Sequence, residues 1–134
     1  MNRTHLEGAA EALAAQQGYA FHTGPEDGMA HTVRSYPAAW LAPLELHAVQ
    51  GRGHGRATYD MTLHLLSSGA RLSPTERRAA LARMEEQLLE IFAALSLDER
   101  VLAVEGLSVR PRAFALTPHG EISQTAAARI VTFF

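Results

Sequence analysis

The chain has 134 residues, a formal net charge of −2, no cysteine, and 12 basic residues, all of them arginine. The missing cysteine excludes disulfides, thiolate nucleophiles and cysteine-ligated zinc, and it fits an intracellular protein. The missing lysine excludes Schiff-base chemistry and a P-loop lysine. The length predicts a single domain over residues 1–134, and the apolar runs are far shorter than the roughly 20 residues that a membrane span needs, so we expect no membrane partner.

The N-terminal segment predicts a helix followed by less regular chain. Thr4 and Glu7 have the spacing of a capping box, and Gly18 suits the residue that follows a helix. The apolar side of this helix would consist of Leu6, Ala9, Ala10, Leu13 and Ala14. Residues 19–21 are compatible with a short strand, and the sequence Gly-Pro-Glu-Asp-Gly at 24–28 predicts a turn.

Residues 38–66 predict a β-hairpin in the middle of the chain. Apolar and polar residues alternate over 40–48 and again over 58–65, which is the period of a half-buried strand. Pro43 lies inside the first arm, and a proline is tolerated in a strand only at an edge or a bulge. We therefore expect the first arm to be distorted there.

The register of the hairpin can be predicted by matching the two apolar rows. The matched pairs are Ala48 with Tyr59, His47 with Asp60, and Leu46 with Met61. This pairing places Gly53 and His54 at the centre of a two-residue turn, and Gly-X is typical of a type II′ turn.

A long helix is predicted after the hairpin, because three start signals agree. Ser73 suits the N-cap, Pro74 the first helical position, and Glu76 the third position of a capping box. Over about 22 residues the apolar side chains recur at steps of three and four, and they are Leu81, Met84, Leu88, Ile91, Phe92 and Leu95. This stripe predicts a helix that covers one face of the hairpin sheet.

The C-terminal third predicts two more strands. Residues 96–103 are compatible with one further helical turn, and 107–116 and 121–134 read as strands around a turn at 117–120. The chain has no alternation of strand and helix that would indicate a parallel sheet. We therefore expect an α+β fold, in which helices pack on one face of a mostly antiparallel four-stranded sheet with the central hairpin.

His47, Asp60 and His64 are the residues that most invite a chemical role. In the predicted register His47 faces Asp60, and His64 stands further along the same strand face, so the three could bind zinc or act as a general base with its orienting group. A polar cross-strand pair on an exposed hairpin face explains the same residues. Because no HExxH or nucleophile motif accompanies them, we assign no catalytic, cofactor-binding or metal-binding residue and expect no cofactor.

Two small basic segments also attract attention. The hairpin tip, residues 51–56, combines glycines with two arginines and could hold a phosphate, and Arg110 and Arg112 flank Pro111 in a second site. Ordinary turn and surface roles explain both segments. The slightly acidic net charge also gives little support to nucleic-acid binding, so we expect no specific nucleic-acid partner.

The order of elements resembles that of the tail-terminator and minor tail proteins of long-tailed bacteriophages. The likeness lies in an N-terminal helix, the Tyr36-Pro37-Ala38-Ala39-Trp40-Leu41 segment, the return strand 59–66, a long helix, and a last strand over 125–133. The resemblance implies a non-enzymatic structural protein of a virion or prophage, found in the virion or the host cytoplasm. It further implies a ring, commonly a hexamer, at the end of a tail tube, with tail-tube or neck proteins as partners.

We also expect self-association through the hairpin and the sheet edges. Soluble monomers often protect open strand edges with lysines, which this chain lacks. The expected interface residues are Arg52, Gly53, His54, Arg56, Phe133 and Phe134. A small enzyme or ligand-binding module that uses His47, Asp60 and His64 is the alternative hypothesis.

Overall fold

Six strands form one sheet that is antiparallel except for a single parallel pair at one end. This computed structural model describes residues 2–112 and 115–134. The strands are β1 Ala20–Thr23, β2 Ala38–Leu41, β3 Glu45–Arg52, β4 His54–Ser67, β5 Val101–Pro111 and β6 Ile122–Phe133. Their order across the sheet is β1-β2-β4-β6-β5, and β3 pairs with β4 on the edge that β2 also uses. The α+β prediction is therefore confirmed.

The sheet has six strands where the sequence predicted four. The first arm of the predicted hairpin is interrupted at residues 42–44, around Pro43, so it becomes the separate strands β2 and β3. The sixth strand is β1, which pairs in parallel with β2. The expected distortion at Pro43 is confirmed, because the missing N–H of proline cannot continue the ladder.

Helices α1 (Asn2–Gln16) and α3 (Pro74–Ser96) cover one side of the sheet. Ser73 caps α3 as predicted: its hydroxyl accepts from the backbone N–H of Glu76, and the Glu76 carboxylate accepts from the Ser73 N–H. The buried residues of α3 are Ala80, Met84, Leu88, Ile91, Phe92 and Leu95, which matches the predicted stripe except that Leu81 is only partly buried. The capping prediction for α1 is wrong, because Thr4 and Glu7 lie inside a helix that already includes Asn2.

The opposite side of the sheet has a smaller cover. A 3-10 turn at Glu26–Gly28 and the short helix α2 (Met29–Thr32) lie on this side. The prediction that the helices pack on a single face is therefore correct for α1 and α3 but not for α2. The buried residues of this second cluster are Met29, Val33, Ala38, Trp40 and Leu66, with Tyr36 and Leu116 packed against them. Among the described residues, no helix is long and apolar enough to cross a membrane.

The register of the β3–β4 hairpin differs from the predicted one. Near the tip Ala48 lies opposite Thr58, and beyond a bulge at His47 the pairs are Leu46 with Tyr59 and Glu45 with Asp60. The prediction placed Asp60 opposite His47. Because of the extra residue, Leu46 stays on the face of Tyr59 whereas Ala48 moves to the opposite face, and row matching alone cannot detect such a bulge.

The turn of the hairpin is also tighter than predicted. Arg52 and His54 are register partners, so Gly53 alone sits at the tip, with φ of 69°. Strand β5 likewise begins at Val101, where a helical turn was expected. The described part of the predicted strand 107–116 is a strand only to Pro111, and Ala113 and Phe114 lie outside the described residues.

Candidate functional site

The β3–β4 hairpin projects from the sheet. All eight residues of β3 are exposed, and so are His54 and Arg56 at the start of β4. Glycine permits the sharp reversal: a Cβ on Gly55 would lie 2.1 Å from the carbonyl oxygen of Gln50, and Gly51 has φ of 100°. The glycine-rich sequence of the tip is thus required by its backbone geometry.

The bulge at His47 determines which side chains share a face of the hairpin. Leu46 pairs with Tyr59 and Val49 pairs with Ala57, so these two aliphatic residues lie on the side of the sheet that the helices cover elsewhere. They are nevertheless 50% and 54% exposed. The hairpin therefore presents apolar side chains that the rest of the sheet would bury.

The C-terminal residues pair with β4 next to the tip of this hairpin. Phe134 donates its N–H to the carbonyl of Gly55 (3.0 Å), and Gly55 donates back to Phe134 (3.1 Å). Phe133 is the register partner of Arg56. The two phenylalanines are 44% and 48% exposed, and with Asn2, Ala57, Tyr59 and Arg100 they line an open depression of about 650 Å³.

The six predicted interface residues thus lie at one end of the sheet. Arg52 and His54 are opposite each other in the hairpin, and Arg56 follows His54 by two residues on the same strand, so the three side chains lie on one face. Phe133 is opposite Arg56 and lies on the same face. No carboxylate occurs between Leu46 and Tyr59. The hairpin tip therefore carries basic but no acidic side chains.

The His47, Asp60 and His64 group is only partly assembled. His47 Nδ1 lies 3.5 Å from Asp60 Oδ2, and Arg129 Nε lies 3.5 Å from Asp60 Oδ1, with all of these side chains partly exposed. His64 is four residues beyond Asp60 on β4, which corresponds to about 13 Å at the rise of a strand. The structure does not bring the three side chains to one site.

The buried His64 instead belongs to a network with the half-exposed Glu26 and the partly buried Thr125, which the sequence did not predict. Its side chain is 1% exposed; Nε2 lies 2.9 Å from Glu26 Oε1 and Nδ1 lies 2.7 Å from Thr125 Oγ1. In a neutral imidazole, Nε2–H donates to the carboxylate and Nδ1 accepts from the hydroxyl. Burial lowers the pKa of His64; the bond to Glu26 opposes this shift, and the charge of Arg112 adds to it.

A second buried network ties down the turn after β5. The Glu121 carboxylate is 3% exposed and accepts from the backbone N–H groups of Leu116 (2.6 Å) and Thr117 (2.8 Å), and from the Thr117 hydroxyl (2.5 Å). Tyr36 donates in turn to Thr117 Oγ1 (2.8 Å). Burial raises the pKa of Tyr36; the bond to Thr117 opposes this rise, and the Glu121 charge adds to it. A Thr-Pro-His-Gly-Glu run is a turn signal that could have pointed to such a carboxylate.

The predicted basic site at Arg110 and Arg112 lies beside an open depression of about 600 Å³, which Leu116 and Thr125 also line. A neighbouring depression shares Ser108 with it and is lined by charged side chains of both signs, namely Asp60, Glu105 and Arg129. Both depressions are open, and each resembles an exposed sheet face more than an enclosed ligand pocket.

Across residues 2–112 and 115–134, no group of three or more His, Asp or Glu side chains has an arrangement that could hold a metal ion. Comparison with known proteins adds no family: no protein-family model matches the sequence, and no curated protein matches it significantly.

Proposed function

We propose that this protein is a structural assembly subunit that joins copies of itself through the β3–β4 hairpin, as a tail-terminator-like or minor tail component of a phage or prophage. The observation that carries the proposal is the hairpin: β3 is exposed along its whole length, and within the described chain it pairs only with β4.

An exposed strand edge without a partner strand favours association with another chain. Its outward N–H and C=O groups can pair with another chain, and monomeric proteins usually protect such edges with lysines, prolines or a covering loop. Strand β3 has no lysine or proline, and it carries the exposed aliphatic residues Leu46 and Val49. Its protective features are the bulge at His47 and the charged residues at its two ends, Glu45 and Arg52. The exposed pair Phe133 and Phe134 adds apolar surface beside the hairpin.

The resemblance in element order extends this proposal to a specific assembly. The resemblance to tail-terminator proteins implies a closed ring, commonly a hexamer, on the end of a tail tube, with tube or neck proteins as further partners. In such a ring each subunit contributes two different surfaces to its two neighbours. The virion or the host cytoplasm would then be its location, and the protein would have no enzymatic activity.

The alternative, an enzyme or ligand-binding module built on His47, Asp60 and His64, has weaker geometric support. His64 is bonded to Glu26 and Thr125 inside the protein, whereas His47 and Asp60 form a partly exposed pair. The assembly proposal uses exposed groups that have no other structural task.

Light scattering at increasing protein concentration tests the proposal. The main variant shortens the hairpin by replacing residues 50–56 with Asn-Gly; because Val49 and Ala57 are register partners, this leaves a two-residue turn between paired residues. We expect the wild type to gain mass with concentration and the shortened variant to remain monomeric, with an unchanged circular dichroism spectrum.

A pair of single substitutions provides a matched control. Val49→Ser changes the hairpin, whereas Leu102→Ser removes a similarly exposed apolar side chain (49% against 54%) from β5 at the opposite edge of the sheet. Val49→Ser should weaken association and Leu102→Ser should not. A wild-type protein that stays monomeric up to millimolar concentration, in the absence of a tail tube, would contradict self-assembly through this hairpin.

A further inference from the structure

The basic face of the hairpin consists of Arg52, His54 and Arg56, with Phe133 beside Arg56. Within the described chain neither arginine has a carboxylate within ion-pair distance. The two arginine charges on this face repel each other, so the face gains most from a partner that supplies carboxylates. Phe133, 44% exposed, adds an apolar anchor to the same face.

A surface with the opposite properties lies on α3. Leu89 is 46% exposed on this helix, although the other large apolar residues of its C-terminal half are buried. Glu85 and Glu86 precede it by four and three residues, so both carboxylates lie beside it on the helix surface. Both glutamates are exposed, and Ala93 continues the exposed face one turn further. Arg83 is exposed three residues before Glu86, so it can partly offset the charge of that carboxylate, whereas Glu85 has no arginine at three or four residues on either side.

The two surfaces cannot meet within one molecule. The basic hairpin face lies on the side of the sheet opposite to Ala57 and Tyr59, whereas α3 packs on the side to which Ala57 and Tyr59 point. A contact between them must therefore join two copies through different surfaces. If each copy uses its two surfaces with two different neighbours, the contact is heterologous and generates a ring when the rotation between copies closes; if two copies exchange the contact reciprocally, it gives a two-fold dimer.

We infer that the basic hairpin face of one copy docks on the Leu89 face of α3 in a second copy. Arg52 and Arg56 pair with Glu85 and Glu86, and Phe133 packs against Leu89. The inference rests on the proposed assembly function and names the surface that receives the hairpin. Charge complementarity fixes the partner and the orientation of the contact, and it makes association weaker at high salt.

Charge reversal on each side tests the contact. One variant carries Arg52→Glu and Arg56→Glu, the other carries Glu85→Arg and Glu86→Arg, and each is studied by light scattering and sedimentation at low and high salt. We expect either variant alone to associate at least about tenfold more weakly than the wild type, because like charges then face each other. An equimolar mixture of the two should regain association, since every hairpin then meets a helix of opposite charge.

Matched controls separate a specific contact from an effect of net charge. Arg34→Glu with Arg71→Glu, and Glu11→Arg with Asp27→Arg, change the net charge by the same amounts at other exposed positions. These controls should associate like the wild type. Unchanged circular dichroism and unfolding midpoints establish that all variants are folded.

The outcomes distinguish this inference from the proposed function. If the wild type associates, and the hairpin or helix reversals leave association unchanged or their mixture fails to restore it, the docking inference is wrong while assembly through another surface stands. If the wild type does not associate, the assembly proposal itself fails. If the hairpin reversals instead abolish binding to a nucleic-acid probe and leave self-association intact, the basic face serves another ligand and the inference is overturned.

Discussion

Strand β4 passes through two different environments. Its C-terminal half contains Leu63, His64, Leu65 and Leu66, which are all 1% exposed or less, whereas His54 and Arg56 at its other end are exposed. Both halves have a paired strand on each edge, with β6 on one side and either β2 or β3 on the other. Backbone pairing is therefore alike in the two halves, and the cover on the faces of the sheet differs.

This difference separates the tasks of the two halves. Around Leu63 and Leu65, α1 and α3 pack on one side, and around His64 and Leu66 the segment near Met29 and the turn near Leu116 pack on the other. Burial of apolar surface there supplies the main driving force for folding. The hairpin has little such burial, so its side chains are free to contact another molecule at small cost to stability.

The largest expected effect is a loss of stability that should occur in the buried half of β4 and not in the hairpin. Leu63→Ala removes a fully buried side chain at the centre of β4, and Leu46→Ala removes the same atoms from the half-exposed hairpin. We expect Leu63→Ala to lower the free energy of unfolding by about 2–5 kcal/mol, because it leaves a cavity, and Leu46→Ala to change it by about 0.5 kcal/mol or less. Denaturant unfolding measures both values. Equal losses would show that the hairpin is buried against something in the free protein.

A smaller effect is expected for the hydrogen bonds of the buried Glu121 carboxylate. Glu121→Ala removes an acceptor of three hydrogen bonds and leaves the N–H groups of Leu116 and Thr117 without their partner. We expect a loss of about 2 kcal/mol in the free energy of unfolding, since bonds to a charged group contribute about 1.5–3 kcal/mol. Glu11→Ala, at an exposed helical position, should cost about 0.5 kcal/mol or less. Similar losses for the two variants would mean that the Glu121 network contributes nothing to stability.

The predictions from sequence agree best with the structure in helix α3 and in the buried C-terminal half of β4. Helix α3 was predicted in its cap, length and buried side, because capping and the spacing of apolar residues are local signals. The alternation in β4 correctly indicated Met61, Leu63 and Leu65 as core residues. These signals reside in a few adjacent residues, so they survive without knowledge of the tertiary fold.

The sequence could not predict the features that depend on distant partners. Glu26 and Thr125 lie 38 and 61 residues from His64, and no local pattern connects them. The bulge at His47 was missed for a different reason, since a shifted register still places Leu46 beside an apolar row. The sequence also did not predict that the six expected interface residues lie together at one end of the sheet, because the pairing of Arg56 with Phe133 joins segments that are distant in the chain.

The smallest expected effect concerns the pH dependence of the free energy of unfolding, through the buried His64. Because burial lowers the pKa of His64 below its usual 6.5, the unfolded chain binds a proton at higher pH than the folded protein does. Stability is therefore complete above pH 6.5 and falls as the pH drops below it toward the lowered pKa of the folded state, by at most about 1.4 kcal/mol per pH unit for one proton. His64→Gln should remove this part of the slope.

Urea unfolding between pH 7.5 and pH 5 measures the slope for the wild type, His64→Gln and His31→Gln. His31 is exposed at the end of α2, and its replacement is the control for removing a histidine from an exposed position. Asp98 is not expected to interfere, because its pKa is lowered: burial opposes the shift, but the N–H of Arg100 and the side chain of His5 outweigh it. Its stabilising effect is lost only as the pH falls through that still lower pKa, below the range of the experiment. A slope in His64→Gln equal to that of the wild type would place the titrating group elsewhere, and the network of His64, Glu26 and Thr125 would then not be the acid-sensitive part of the fold.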